Sequence, residues 1–387
     1  MSVNDRAALQ QRAGEPDLLI VGGGPTGLAT AIATRLAGLT VTVLDRSRPP
    51  IDKACGEGLM PAGVGRLEAL GVRLPAAAGR AFRGIRYRDG ELVAEAEFPG
   101  ASGLGIRRTV LHQALAQRAE EVGADLRWGT VARGLVAGGV ATDEGVHSGR
   151  WLVGADGLTS RMRLWSGLEK EQPTGRQTHL GYGRFGVRRH FRVEPWTDKV
   201  EVWWADGVEA YVTPVAAREV GVAMLWSGEK SRFDLLLARF PALVDQLAGA
   251  EVTSRDKGAG PLHRRPRRVW RDRLLLVGDA AGYVDAITGE GLDLAFHQVF
   301  ALVEAVRYDD PRRYARFCRR LARLPFALIH LLLFAERRPA LRRRLIRTLA
   351  DEPWLFERLL AIHARDRPPR SLGLDGAWGL VRGLARS

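Results

Sequence analysis

Three patterns of apolar and polar positions run along the chain, and each predicts a different element. Short apolar runs stand at Leu18–Val21, at Val41–Leu44, within RLLLV at Arg273–Val277 and at the start of RWLVGADGLTSRMR, Arg150–Arg163. Runs this short without alternation predict parallel strands buried on both faces. A second pattern alternates. Arg83–Phe98 does so around Asp89-Gly90, which reads as a hairpin, and a strand near Asp125–Trp128 leads into a hairpin-like stretch ending at Val146. From about residue 178 to 226, HLGYGRFGVRRHFRV, KVEVWW and EAYVTPVAAREVGVAMLW are aromatic, β-rich and separated by turn residues, predicting a multi-stranded antiparallel sheet. The third pattern is helical: Ala/Leu-rich Leu28–Leu39, a helix near Pro61, one carrying Leu111 and Leu115 on one face, one over Arg232–Leu247, and a long one from about Gly289. Beyond Val306 the chain reads as helices with Pro325, Pro339 and Pro353 as breaks.

The first two apolar runs frame Gly22, Gly24 and Gly27 in a G-x-G-x-x-G turn, with Asp45 closing the second strand. In such a unit Gly22 permits the tight turn and Gly24 lets the backbone approach a pyrophosphate. Gly27 lets the helix pack on the strand, and the helix N-terminus faces the phosphates. Asp45 follows at about the 20-residue offset from which a carboxylate takes a ribose hydroxyl. Strand, turn, helix, strand and acid in register make this a dinucleotide site. The fold class is therefore α/β, with a Rossmann-like domain interrupted by a β-rich insertion and followed by a helical C-terminal region.

Composition narrows the function. With 387 residues, 46% hydrophobic and 26% charged, the chain suits two domains with sizeable cores. Cys55 and Cys318 are the only cysteines, which excludes a disulfide framework and a Cys-rich metal site. The polar N-terminus carries no apolar targeting core, and the longest strongly apolar run, Leu324–Ala335, is too short to span a bilayer, so a cytoplasmic protein is expected. From Val306 to Ser387 there are 19 arginines against 8 acids, which supplies +11 of the net +14. The excess thus sits in one helical tail without aromatic-interleaved strands, and nucleic acid is not expected as a partner.

Two further motifs carry a resemblance. GADGLTSRMR and LLLVGDAAGYVDAITGEGLDLAF resemble the second and third flavin motifs of the FAD-dependent oxidoreductases of the p-hydroxybenzoate hydroxylase type, over about residues 17 to 305. Within that superfamily, Lys53-Ala-Cys-Gly-Glu57-Gly together with Thr288-Gly-Glu-Gly291 is similar to the geranylgeranyl reductase-like branch. The resemblance implies a glutathione-reductase-type FAD domain in three parts, 1–77, 107–168 and 266–305. It implies a substrate domain in two, 78–106 and 169–265, and a helical region at 306–387. It implies FAD held by Gly22, Gly24, Pro25, Thr26, Gly27, Asp45, Arg46, Cys55, Gly56, Arg108, Asp156, Gly157, Gly278, Asp279, Gly289, Gly291 and Leu292. Asp279 would take the ribityl chain. The N-terminus of the helix opened by Gly289-Glu290-Gly291 would face negative charge on the reduced ring.

No second G-x-G-x-x-G follows a strand, so electrons are expected from transiently bound NAD(P)H or from a separate donor protein. The superfamily and the aromatic insertion (Tyr182, Phe185, Phe191, Trp203, Trp204, Tyr211), read as the floor of an apolar pocket, point first to a monooxygenase acting on a hydrophobic small molecule with NAD(P)H and O2. The histidine and proline usual in hydroxylases after Gly-Asp-Ala-Ala are missing. The Cys-Gly-Glu-Gly loop offers the alternative of saturating isoprenoid or polyene double bonds, and non-enzymatic FAD binding is a third reading. The halogenase motif W-x-W-x-I-P is absent. Cys55 and Glu57 are the candidate catalytic residues; His297 and His330 are expected to be packed. The Arg-rich tail either lies on an anionic membrane surface, making the protein peripheral, or packs its apolar faces on the FAD domain.

Overall fold

The computed structural model describes residues 14–75, 77–170, 177–178 and 181–385. Its main elements begin with β1 (Leu18–Val21), α1 (Pro25–Leu36), β2 (Val41–Asp45), α2 (Pro61–Ala69), β3 (Gly84–Asp89), β4 (Leu92–Glu97), α3 (Arg108–Glu121), β5 (Asp125–Trp128), β6 (Trp151–Gly154) and α4 (Arg161–Trp165). They continue with β7 (Arg184–Arg192), β8 (Lys199–Ala205), β9 (Val208–Ala216), β10 (Glu219–Ser227) and β11 (Leu274–Leu276). The helices α5 (Gly291–Arg307), α6 (Pro311–Glu336), α7 (Pro339–Asp351), α8 (Pro353–His363) and α9 (Gly373–Ala385) complete the set.

One sheet is parallel apart from an antiparallel edge, in the order Trp270–Arg271, β11, β6, β1, β2, β5. Leu18 of β1 faces Trp151 on one side and Val41 on the other. All four β1 residues are buried, because α1, α3 and α5 cover one face while a small three-stranded sheet spanning Ala132–Ser148 and α4 cover the other. Two-sided burial is why these strands are apolar without alternation.

The second sheet runs Glu251–Val252, β7, β10, β9, β8, β3, β4, antiparallel except where β8 pairs parallel with β3. Two distant chain segments thus share one sheet. Its alternation sends Phe191, Trp203, Val212 and Met224 to one face, beneath the short helices Phe233–Leu237 and Pro241–Gln246. Val202, Trp204, Tyr211 and Leu225 point to the other, beneath the C-terminal helices. Each large side chain so buried contributes about 1.5–3 kcal/mol.

The α/β class, the β-rich insertion and the C-terminal helices are as expected; four details differ. Arg232–Leu247 is two helices, because Pro241 starts a second one. Pro325 does not end a helix but lies inside the 26-residue α6. An interior proline costs about 3 kcal/mol, and here packing on both sides offsets it: Tyr314 and Cys318 join the α/β core, while Ile329, Leu332 and Leu333 join the core under the second sheet. The tail consequently packs on both units rather than on the FAD domain alone. His330 is exposed rather than packed.

Candidate active site

The phosphate end is built from backbone. Gly22 turns at φ +112°, and a Cβ on it would lie 2.4 Å from the Ala155 carbonyl oxygen; a Cβ on Gly27 would lie 1.8 Å from that of Gly22. At Gly24, the N-cap of α1, a Cβ would meet nothing within 4 Å, and no side chain caps the helix. The first N–H groups of α1 and its positive dipole end are therefore open to the cleft, lined here by Pro25 and Thr26, as an anion requires. Asp45 lines the same cleft beside Arg46. Its Oδ2 accepts from Gly23 N at 2.7 Å and its Oδ1 from Ser47 N at 2.7 Å, so the carboxylate is oriented and retains lone pairs for a hydroxyl. Behind the turn, buried His112 donates through Nε2 to the Gly23 carbonyl at 2.8 Å. Burial lowers its pKa, which keeps the ring neutral. Nothing in its spacing distinguishes this histidine from a packed one.

The second and third motifs are stapled together. Asp156 lines the cavity, and its Oδ2 accepts from Arg161 and Met162 N at 2.7 and 3.0 Å, which caps α4. Gly157, at φ +80°, turns the chain beside it. Arg163, fully buried, ion-pairs with Glu169 and donates to the carbonyls of Leu158 and Ala280 at 2.9 and 3.0 Å. It thereby fixes the Gly278–Ala281 turn, whose Gly278 N donates to Gln298 Oε1 at 2.8 Å. The Asp279 carboxylate lines the cavity and takes no hydrogen bond from the described residues. Burial raises its pKa, opposed by Arg108, Lys53 and Arg163. Arg108, at the first turn of α3, also lines the cavity, and its buried Nε has no partner among the described residues. An open helix N-terminus, an unbonded carboxylate and an orphaned guanidinium N–H in one cleft fit a dinucleotide with sugar-like hydroxyls. Gly289, Gly291 and Leu292 line the cleft at the start of α5. When bound, FAD supplies hydride transfer; the chain's residues supply the setting.

The loop before α2 closes the middle of the cavity, where Cys55 and Gly56 lie in the wall. Burial pushes the Cys55 thiol pKa up, against the pull of Arg108, so the thiol stays protonated. Glu57 also touches the wall, but its carboxylate is engaged. Oε1 accepts from Arg108 N at 2.7 Å, and Oε2 bonds His190 Nε2. His190 continues to Ser254 Oγ at 2.8 Å, and Arg188 ties Asp52 to the same cluster. Glu57 adopts φ +59°, a conformation costing about 1–3 kcal/mol in a non-glycine residue, which this cluster holds in place.

Beyond the loop the cavity, about 920 Å³ in all, becomes largely apolar. Ile85, Val200, Val202 and Leu225 form the sheet side, and Leu328, Leu332, Leu345, Leu349, Phe356 and Leu360 the helix side. Of the aromatic residues expected on the floor, Tyr211 lines the cavity. Phe185, Phe191 and Trp203 turn to the opposite face because strand residues alternate, and Trp204 is packed against Tyr87; the Tyr182 side chain lies outside the described residues.

Beneath Tyr211 sits a buried cluster that the sequence does not announce. Arg184 bonds Glu209 at 3.0 Å and Asp285 at 2.9 Å and lies 3.9 Å from Glu336. It joins the second sheet, the loop after Asp279 and helix α6. With one cation among three carboxylates, Glu209 is pushed up to about 7, by burial first and then, against the pull of Arg184, by Glu336 and Asp285. Tyr211 Oη donates to the Ile287 carbonyl at 2.8 Å, orienting the ring against the same loop. His297 is packed beside Asp293 and Arg66 and depressed to about 4, chiefly by burial.

Comparison with known proteins agrees with this geometry. The FAD binding domain family matches residues 15–306. Menaquinone reductase of Mycobacterium tuberculosis (strain ATCC 25618 / H37Rv) is 28% identical over 319 residues, 76% of this chain and 74% of that one. Digeranylgeranylglycerophospholipid reductase 1 of Methanopyrus kandleri is 29% identical over 330 residues, 76% of this chain and 82% of that one. The 6-methylpretetramide 4-monooxygenase of Streptomyces rimosus is 29% identical over 339 residues, 76% of this chain and 77% of its own length. In fold, a flavoprotein/dehydrogenase from Cytophaga hutchinsonii superposes with TM-score 0.76 at 15% identity, covering 94% of this chain and 98% of that one. PqsL, a probable FAD-dependent monooxygenase from Pseudomonas aeruginosa, gives 0.68 at 20%, covering 84% and 97%. The chain belongs to the FAD binding domain family, whose match spans the residues that build this cleft, and it is an FAD-dependent oxidoreductase.

Proposed function

We propose that this protein is an FAD-dependent reductase that saturates carbon–carbon double bonds in a long, isoprenoid-like chain, with NAD(P)H or a separate redox protein as electron donor. The observation that carries this reading is the continuity of the cavity. The polar cofactor cleft is continuous, past the loop that carries Cys55, with a channel of largely apolar side chains from one sheet and four helices. Such a lining offers a flexible hydrocarbon dispersion contact along its length and few polar atoms to fix a compact polar ring. Saturating a double bond adds a hydride to one carbon and a proton to the other. The neutral Cys55 thiol, in the wall of the same cavity, is a proton source the chain offers, and Arg108 would ease the charge left on sulfur. Two of the relatives are named as reductases of a quinone and of a geranylgeranyl lipid.

Oxygenation of a hydrophobic substrate is the second reading, supported by the likeness to a 6-methylpretetramide 4-monooxygenase. One experiment separates the two. Reduced holoenzyme is incubated with extracted polyprenyl lipids and quinones, with and without oxygen, and the products are weighed by mass spectrometry. Gain of two hydrogens, independent of oxygen, is the expected result. Gain of one oxygen atom, and only aerobically, overturns the proposal in favour of the second reading.

A further inference from the structure

Helix α9 is amphipathic in the wrong sense for a globular protein. Its glycines face inward: a Cβ on Gly376 would crowd Leu372, one on Gly379 would meet Glu352, Leu355 and Trp354, and one on Gly383 would lie 2.2 Å from the Thr348 hydroxyl. Its polar side chains serve as pins, Asp375 to Arg358 at 2.6 Å and Arg382 to Glu352 at 2.5 Å. What remains outward is Leu374, Trp378 and Val381, spaced by four and three and exposed by 91%, 66% and 58%. Soluble helices bury such a stripe.

A second stripe repeats the pattern on α6. Leu324, Leu331 and Phe334 are exposed, and arginines bracket them, Arg320 and Arg323 before and Arg337 and Arg338 after. Arg320, Arg323 and Arg337 have no carboxylate within ion-pairing distance among the described residues, and Arg338 lies over the Phe334 ring at 3.7 Å. Apolar side chains flanked by long cations that reach outward suit the boundary between acyl chains and anionic headgroups. Leu324 and Leu331 also line the cavity, as does Leu380 of α9, so the aliphatic channel opens beside these stripes.

We propose that the outer faces of α6 and α9 dock on an anionic lipid bilayer, so that the channel mouth meets the acyl region and a lipid-borne chain enters without crossing water. No helix among the described residues is long and apolar enough to cross a membrane; the contact is interfacial. A bilayer is favoured over a second protein copy by charge complementarity, since this region carries +11 of the net charge, and two like-charged faces would repel. The inference stands on the surface and goes beyond the reductase reading, because its primary readout is binding and involves no turnover.

The test is co-sedimentation of the full chain, FAD bound, with phosphatidylcholine vesicles and with equimolar phosphatidylglycerol/phosphatidylcholine vesicles. Wild type is expected to pellet with the anionic vesicles and far less with the neutral ones. The doubly substituted Leu374→Glu/Trp378→Glu protein should lose at least about tenfold in partitioning, with an unchanged melting curve because both side chains point away from the fold. Arg320→Glu/Arg337→Glu should remove the preference for the anionic vesicles. Equal binding of wild type and the Leu374/Trp378 variant overturns the proposal, as does failure of wild type to bind either vesicle. Sedimentation velocity showing a dimer that the same variant dissociates, without vesicle binding, assigns the face to a second copy and overturns it too. Should vesicle binding hold while no double bond is reduced, the reductase reading fails alone.

Discussion

The two ends of the cavity are made of different material. At the phosphate end the walls are backbone: Gly22, Gly24 and Gly27, helix N–H groups and strand ends, with a few side chains pinned by hydrogen bonds. At the far end they are largely apolar side chains from chain segments hundreds of residues apart. At Gly22 and Gly27 the backbone wall has no room for one carbon more, whereas an apolar side-chain wall can exchange one residue for another of similar volume at about 1.5 kcal/mol or less. The first end therefore specifies one cofactor, and the second is where substrate length and shape can be tuned.

Substitutions that strike one end and spare the other sharpen the contrast. The largest effect belongs to Gly27→Ala, whose new methyl would lie 1.8 Å from the Gly22 carbonyl oxygen. The protein is expected to be isolated without flavin, read as loss of its visible absorbance, and a normally flavinated variant would break the backbone-wall account. Next is Arg184→Met, which leaves Glu209, Asp285 and Glu336 buried without their cation. Stability in urea should fall by about 3–5 kcal/mol, less if Lys is substituted.

At the junction of the two ends, Cys55→Ala should lower kcat for saturation by about a hundredfold while KM and flavin content stay near wild type. An unchanged kcat would remove the thiol from the mechanism. On the aliphatic side, Leu328→Trp narrows the channel at a half-buried position. It should raise KM about tenfold for long chains and little for short ones, with the flavin spectrum unchanged. An equal effect on both lengths would mean that the chain does not lie along this wall.

A further test is a pH slope. Glu209 is raised from its ordinary 4.5 to about 7 in the folded protein, so its contribution to stability is present below about 4.5 and lost as pH rises through about 7. Glu209→Gln should remove that slope. The stability of the variant relative to wild type is expected to grow from pH 4.5 towards 7 and to level off above, by no more than about 3 kcal/mol. A difference that is flat with pH would show that the Arg184 cluster holds Glu209 ionised throughout.

What was legible in the sequence follows the same division. Gly22-x-Gly24-x-x-Gly27 with Asp45 is a local pattern, set by the backbone conformation of neighbouring residues, and the Asp156 and Asp279 turns and the helix starting near Arg108 are short motifs read through their resemblance to flavin motifs. They therefore announce the nucleotide end and its parallel strands directly. The aliphatic end has no such signature. A leucine that lines the channel, such as Leu332, and one that fills a core, such as Leu355, obey the same helical periodicity, and which is which depends on what packs opposite. For the same reason the expected aromatic floor divided between two faces, since strand alternation assigns Trp203 and Trp204 to opposite sides without saying which side holds the cavity. Pro325 continues its helix because tertiary contacts on both flanks outweigh a local penalty. The ion cluster of Arg184, Glu209, Asp285 and Glu336 joins residues up to about 150 positions apart, and no short-range pattern encodes a partner at that distance. Sequence alone determined the cofactor end, because local geometry builds it. The tertiary structure alone decided the substrate end, because burial is a property of the whole fold.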